Sequence, residues 1–121
     1  MPTPKPFREN LREKIDVFVH MVFESSKTFP KQEQFGVTSQ LRRAAISVAL
    51  NYIEGYARQR NNSNRHFLEI SYGSLKETGY LIGFCFREGW IDEQRHNALS
   101  NLCNELGAMI WSTTQYKKQP Q

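Results

Sequence analysis

The sequence predicts an all-α protein, an up-down-up-down antiparallel bundle of four helices. Apolar residues recur at spacings of three and four in four successive segments, which is the period of an amphipathic helix. Short stretches rich in Pro, Gly and Asn separate these segments, and short connections place successive helices side by side in opposite directions. With 121 residues, the chain has the length of one domain with a core of its own.

The first helix is predicted to begin within residues 8–10, and the proline-containing residues 1–7 before it indicate a disordered arm. This helix must end before Pro30, because the residue that precedes a proline is pushed out of the helical region. The connection that follows contains Phe29 and Phe35, and we expect both rings to cover one end of the core. The core stripe of the helix comprises Leu11, Ile15, Phe18, Val19, Val22 and Phe23.

The second helix is predicted within residues 36–60, with Thr38 or Ser39 as its N-cap. It has two apolar faces, whereas a surface helix needs only one. We assign the first face to the core of the bundle and the second to the interface between subunits of a homo-oligomer. The core face comprises Leu41, Ala45, Val48, Tyr52 and Tyr56. The predicted interface comprises Ile46, Leu50, Ile53 and Ala57.

A polar stripe separates the two apolar faces of the second helix, and its central residues are Arg43, Asn51 and Glu54. We expect Asn51 and Glu54 to be partly buried and hydrogen-bonded, because an unpaired buried carboxylate costs several kcal/mol. Arg43 or Arg58 is the predicted cation for Glu54, and Arg58 lies one turn further along the same helix. A structural role for these polar residues is favoured over a ligand site.

Ser63, in an asparagine-rich loop, is the predicted N-cap of the third helix, and Gly89 is the predicted C′ residue after its end. Glycines inside this helix suggest the close approach of a neighbouring helix, although chance drift is the alternative; they are Gly73, Gly79 and Gly83. Asp92 is the predicted N-cap of the fourth helix. The bundle domain is therefore predicted to span residues 8–116, followed by a flexible basic tail at residues 117–121.

Two runs of this sequence resemble a known family. They are SQLRRAAISVALNYIEG at residues 39–55 and FLEISYGSLKE at residues 67–77. Through these two runs, residues 7–115 resemble the small bacterial four-helix-bundle proteins that are also called 23S rRNA intervening-sequence proteins. The resemblance implies the bundle fold and, by analogy with members of that family, a ring of five bundles. It implies no particular biochemical activity.

The sequence contains no recognisable catalytic, metal or cofactor site. Glu93 and His96 have the spacing of a single metal-ligand pair, but a di-iron bundle needs two such pairs and further inward glutamates. No nucleophile motif or phosphate-binding glycine loop is present. Cys85 and Cys103 lie among apolar residues, as buried thiols do. We expect a protein that is not an enzyme and has no cofactor, metal or small-molecule substrate.

The location expected from the sequence is the cytoplasm. No apolar run is long enough to span a bilayer, and the first residues lack the apolar segment of a signal peptide. We therefore expect no membrane partner. In that reducing compartment both cysteines would stay thiols.

The charge distribution indicates a basic surface at one end of the bundle. The net charge is +4, and residues 36–66 contain five arginines but one acidic residue. In an up-down-up-down bundle, the N-terminus, the loop between the second and third helices, and the C-terminus share one end. The candidate nucleic-acid-binding residues gathered there are Arg8, Arg58, Arg60, Arg65, Lys117 and Lys118. The alternative is that these charges only keep the protein soluble.

Three classes of function are compatible with these observations. The first is an oligomeric protein, with five subunits favoured, that binds RNA or DNA with little sequence selectivity. The second is an oligomeric adaptor or scaffold that binds another protein. The third, an enzyme with a site between subunits, is the least supported. Binding of nucleic acid to the purified protein would separate the first class from the second.

Overall fold

The protein is described here by a computed structural model, which covers residues 6–58 and 62–118, without the side chains of Asn62 and of residues 116–118. It has four long helices, α1 (Phe7–Ser26), α2 (Val37–Ala57), α3 (Asn62–Arg87) and α4 (Glu93–Lys118). A short 3₁₀ helix at Lys31–Glu33 lies between α1 and α2. The described residues contain no β-strand. The predicted all-α class is confirmed, and the arrangement is consistent with a four-helix bundle.

Each helix packs against two others. Helices α1 and α3 both contact α2 and α4, and within the described residues α2 does not contact α4. The Arg42 Nε atom donates a hydrogen bond to Ser26 Oγ at 2.7 Å, so the start of α2 lies beside the end of α1. The Tyr52 hydroxyl donates to the Arg8 carbonyl at 2.9 Å, at the other end of the same two helices. These contacts agree with the antiparallel order, which stays a prediction for the chain as a whole.

All four helices contribute to one hydrophobic core. The apolar stripe of each helix supplies the most buried side chains, because residues three and four apart lie on the same face of a helix. The largest side chains that are almost completely buried are Leu11, Ile15, Phe18, Leu41, Leu68, Leu75, Ile82, Leu99, Leu106 and Ile110.

The connection between α1 and α2 covers the core with one aromatic ring instead of the two expected. Phe29 is buried, but Phe35 is 91% exposed, so the prediction for Phe35 was wrong. The Gly36 N–H donates to the Glu33 carbonyl at 3.0 Å, and this turn leaves Phe35 on the outside of the connection. Trp90 lies beside Phe29 instead, with ring centroids 5.6 Å apart.

The helix starts agree with the sequence at α4 but not at α2 or α3. The Asp92 carboxylate accepts the Arg95 N–H at 2.7 Å, so Asp92 is the N-cap of α4 as predicted. Helix α2 begins earlier than predicted, with Gly36 at the N-cap position and no capping side chain. The side-chain oxygen of Thr38 is buried without a hydrogen-bond partner. Helix α3 begins at Asn62, so Ser63 lies within the helix and not before it.

Two helix ends lie one or two residues outside the predicted bounds of the bundle domain, and the domain division itself stays a prediction. Helix α1 includes Phe7, which the sequence placed in the arm, and α4 continues through Lys118. The predicted end of the bundle domain at residue 116 therefore falls inside a helix.

Close helix packing is found at a different set of glycines from the one predicted. In α3, a Cβ added at Gly79 would lie 3.2 Å from Cys103 Sγ of α4, but Gly73 has open space around it. An added Cβ at Gly83 would meet Arg87 of its own helix. In α2, an added Cβ at Gly55 would lie 3.0 Å from a methyl carbon of Leu68. The tightest approach is therefore between α2 and α3.

Candidate nucleic-acid interface

Three of the six candidate residues come together at one end of the bundle. The Arg8 guanidinium lies 5.7 Å from the centroid of the Tyr56 ring. The Arg58 guanidinium lies 5.1 Å from the centroid of the Phe67 ring. Arg65 lies two residues before Phe67, in the first turns of α3. This end of the bundle, formed by the start of α1, the end of α2 and the start of α3, is called the basic end below.

Two of these arginines already have carboxylate partners on their own helices. Arg58 Nε lies 2.7 Å from Glu54 Oε2, and about half of each side chain is exposed. Arg65 lies 3.4 Å from Glu69. Exposed ion pairs of this kind contribute at most about 1 kcal/mol to stability. A phosphate can therefore replace the carboxylate of Glu54 or Glu69 as the partner of its arginine at a small cost in free energy.

The other three candidates are only partly described. Arg60 lies outside the described residues. Lys117 and Lys118 belong to the last turn of α4, but their side chains are not described.

The polar stripe of α2 forms a hydrogen-bond network toward α3. Asn51 donates to the Ser47 carbonyl and to Ser47 Oγ, both at 2.9 Å. The Ser47 hydroxyl is 2.7 Å from the Ser74 hydroxyl of α3. Glu54 is half-buried and pairs with Arg58, the partner that the spacing favours. Arg43 is exposed beside a shallow groove that Glu77 of α3 also lines. Asn51 and Ser47 thus link α2 to α3, and Glu54 pairs with Arg58 at the end of α2 itself.

The predicted interface of α2 forms an exposed apolar stripe. Ile46, Leu50 and Ile53 are 37%, 60% and 42% exposed, and Ala57 is exposed beside them. Val17 of α1, which is also exposed, lines the same groove as Ile53. Within the described part of the chain, this stripe is not covered. It is called the outer α2 face below.

Sequence reasoning missed a second exposed aromatic region, between α3 and α4. Trp111 is 48% exposed, and its ring centroid lies 5.3 Å from that of Tyr72. The Lys76 ammonium lies 5.1 Å from the centroid of the Tyr72 ring. The signal for this region is that Trp111 directly follows Ile110 and so lies at the edge of the core stripe of α4.

The titratable groups elsewhere do not form a reactive cluster in the described part of the chain. Burial raises the pKa of the Cys85 thiol to about 11, and burial also raises the pKa of Cys103. Both cysteines therefore stay protonated and unreactive near neutral pH. The His96 ring stacks on Phe86 with centroids 4.1 Å apart. No group of three described His, Cys, Asp or Glu side chains is placed to hold a metal ion.

Comparison with known proteins gives the family of the chain. The family model described as 23S rRNA-intervening sequence protein matches residues 10–112. The chain belongs to this family. A crystal structure of a protein of unknown function from the S23 ribosomal protein family of Bacteroides thetaiotaomicron has a similar fold. The TM-score is 0.83 at 18% sequence identity, over 91% of this chain and 99% of that one. No curated protein matches the chain.

The family match extends from α1 to the last third of α4, so it includes the first turns of α3 and most of the basic end. Among the described residues of this family member, no helix has the length and apolar character needed to cross a membrane.

Proposed function

We propose that this protein is a non-enzymatic, oligomeric nucleic-acid-binding protein that contacts RNA or DNA through its basic end. RNA is the favoured ligand, because the family to which the chain belongs is named for an insert in ribosomal RNA. The observation that supports binding most directly is that Arg8, Arg58 and Arg65 share one end of the bundle, the first two of them beside aromatic rings.

The chemistry of the basic end suits a phosphate backbone. A guanidinium group offers a planar fork of donors that matches phosphate oxygens. Each phosphate that is neutralised releases counterions, so affinity falls steeply as the salt concentration rises. Contacts to phosphate and sugar position a protein on nucleic acid without reading its bases. Low sequence selectivity is therefore part of the proposal.

Assembly multiplies these contacts. The exposed outer α2 face would be buried between subunits of a homo-oligomer, with each subunit an antiparallel bundle. The family resemblance favours a ring of five. Such a ring repeats the basic end five times, and every contact after the first is intramolecular. Weak individual contacts can then add up to useful affinity.

The direct test removes the three arginines around the α2–α3 connection. We expect Arg58→Ala, Arg60→Ala and Arg65→Ala, combined, to weaken binding to mixed-sequence RNA about equally for all sequences. The slope of log affinity against log salt should also become shallower, because fewer counterions are released. The melting temperature and the oligomer size should stay close to those of the wild type.

A matched control removes the same charge from the opposite end. Lys27→Ala, Lys31→Ala and Arg87→Ala replace exposed cations near the end of α1, in the 3₁₀ helix and at the end of α3. This variant should bind RNA nearly as well as the wild type. Equal losses in both variants would indicate an effect of net charge alone. If the wild type binds neither RNA nor DNA at about 50 mM salt, the function is instead that of an oligomeric adaptor for another protein.

A further inference from the structure

The exposed aromatic region between α3 and α4 lies outside the basic end and has no role in the function proposed above. It consists of Trp111, Tyr72 and Lys76 and is called the aromatic patch below. Trp111 is 48% exposed although it packs against Tyr72. The exposed part of the indole keeps apolar surface in water, and the Lys76 ammonium lies over the Tyr72 ring beside it.

The surface beside Tyr72 is open at the next residue of α3. Gly73 of α3 is exposed, and an added Cβ there would meet nothing within 4 Å. At Gly107 of α4, an added Cβ would lie 3.9 Å from Lys76 Nζ, so the ammonium lies close to α4. The patch therefore combines two aromatic rings, one cation and an open surface.

The patch is placed to act together with the basic end. Trp111 lies six residues before Lys117, and Tyr72 lies seven residues after Arg65. At 1.5 Å per residue, both separations are about 10 Å along the helix axis, roughly three stacked nucleotides. Trp111 lies on α4, which does not contact α2 in the described chain.

We propose that the aromatic patch is a stacking platform for an unpaired base, so that the protein prefers single-stranded RNA to duplex. This inference rests on the proposed function and specifies the class of its ligand. A strand held by its phosphates at the basic end would run along α3 and α4 and place one base against Trp111. Lys76 would then neutralise a neighbouring phosphate.

Base stacking explains why the preference is for single strands. Every base has an aromatic face, so stacking on Trp or Tyr is tolerant of sequence. Bases inside a duplex are already stacked and paired, and only unpaired nucleotides can be turned onto a protein ring. A platform of this kind therefore favours single-stranded RNA over duplex RNA but does not select a base sequence.

The first experiment compares Trp111→Ala with Phe35→Ala, since Phe35 is another exposed aromatic residue and lies away from the patch. We expect Trp111→Ala to bind single-stranded poly(U) about tenfold more weakly and to bind a duplex RNA as the wild type does. Phe35→Ala should leave both affinities unchanged. The salt dependence should be the same in Trp111→Ala and wild type, because stacking releases no counterions.

A second measurement uses the fluorescence of Trp111 itself and does not depend on how well the alanine variant folds. Titration of the wild type with poly(U) should quench part of its tryptophan emission. Trp111→Phe keeps a ring at the site, so we expect binding close to that of the wild type with most of this quenching lost.

The outcomes separate this inference from the proposed function. If the wild type binds RNA but Trp111→Ala binds poly(U) equally well, the stacking platform is wrong and the basic end is unaffected. The same conclusion follows if quenching persists in Trp111→Phe. If the wild type binds no nucleic acid, the proposed function fails, and a protein partner becomes the occupant of the patch.

Discussion

At the scale of single residues, the ionisation of the buried Cys85 thiol is linked to folding. Burial raises its pKa from 9.0 to about 11, with a smaller contribution from Glu33. The unfolded chain therefore loses this proton near pH 9, whereas the folded protein keeps it until about pH 11. The contribution of Cys85 to stability is complete below pH 9 and is lost as the pH rises through that range.

We accordingly predict that the free energy of unfolding falls between pH 9 and pH 11 with a Cys85 contribution of at most about 1.4 kcal/mol per pH unit. Urea denaturation at several pH values measures this free energy of unfolding. Other groups titrate in this range, so the wild type is compared with Cys85→Ala, which loses some stability at every pH but should have a shallower dependence. Parallel curves for the two proteins would contradict the assignment.

At the scale of secondary-structure elements, the contact between α2 and α3 is set by one glycine. A Cβ added at Gly55 would lie 3.0 Å from a side-chain carbon of Leu68 and 3.3 Å from the backbone oxygen of Asn64. Leu68 is fully buried and cannot move aside freely. We predict that Gly55→Ala lowers the free energy of unfolding by about 1–2 kcal/mol, because overpacking outweighs the gain in helix propensity.

The control for Gly55→Ala is the same substitution at Gly73 of α3. An added Cβ has open space there, so helix propensity alone should act and stabilise the protein by up to about 1 kcal/mol. Chemical denaturation of the two variants would compare them directly. A stabilised Gly55→Ala protein would mean that α2 and α3 separate easily.

The helices themselves could be predicted largely from the spacing of their apolar residues, because this repeat is strong. The end of α3 could be predicted from Gly89, because a glycine can adopt the backbone conformation that ends a helix. Gly89 has a positive φ of 82°, and Trp90 N–H donates to the Cys85 carbonyl at 2.9 Å, as in a common glycine-terminated helix end. The start of α2 was harder to predict. Thr38 and Ser39 both have capping side chains, but only the packing of the connection decides that the helix begins before them.

The candidate site was predictable where it depends on spacing along one helix. The pairing of Glu54 with Arg58 follows from their separation by one turn. The position of Trp111 beside Tyr72 does not, because it depends on how α3 and α4 face each other. A pattern that alternates by three and four places a residue at the edge of a stripe, but it cannot say whether a neighbouring helix covers that edge.

At the scale of the whole molecule, the two main exposed surfaces have different chemistry and lie on different helices. The outer α2 face is aliphatic, with Ile46, Leu50 and Ile53, whereas the aromatic patch on α3 and α4 contains a lysine. A row of exposed aliphatic side chains suits a contact between copies of the same chain. Aromatic rings beside a cation suit a ligand that carries both flat rings and negative charge.

The last prediction concerns assembly. The mass of one chain is 14.2 kDa, and we expect light scattering to give about five times this value for the wild type, the ring size that the family resemblance favours. Leu50→Glu should shift the protein to smaller species while the helix content stays the same. The reason is that Leu50 is 60% exposed in the single chain, so a carboxylate there is solvated in the monomer but would be desolvated in the oligomer. Tyr80→Glu is the matched control, since Tyr80 is 64% exposed but lies on α3, and it should leave the mass unchanged.

A wild type that is monomeric at micromolar concentration would rule out both the ring and the role assigned to the outer α2 face.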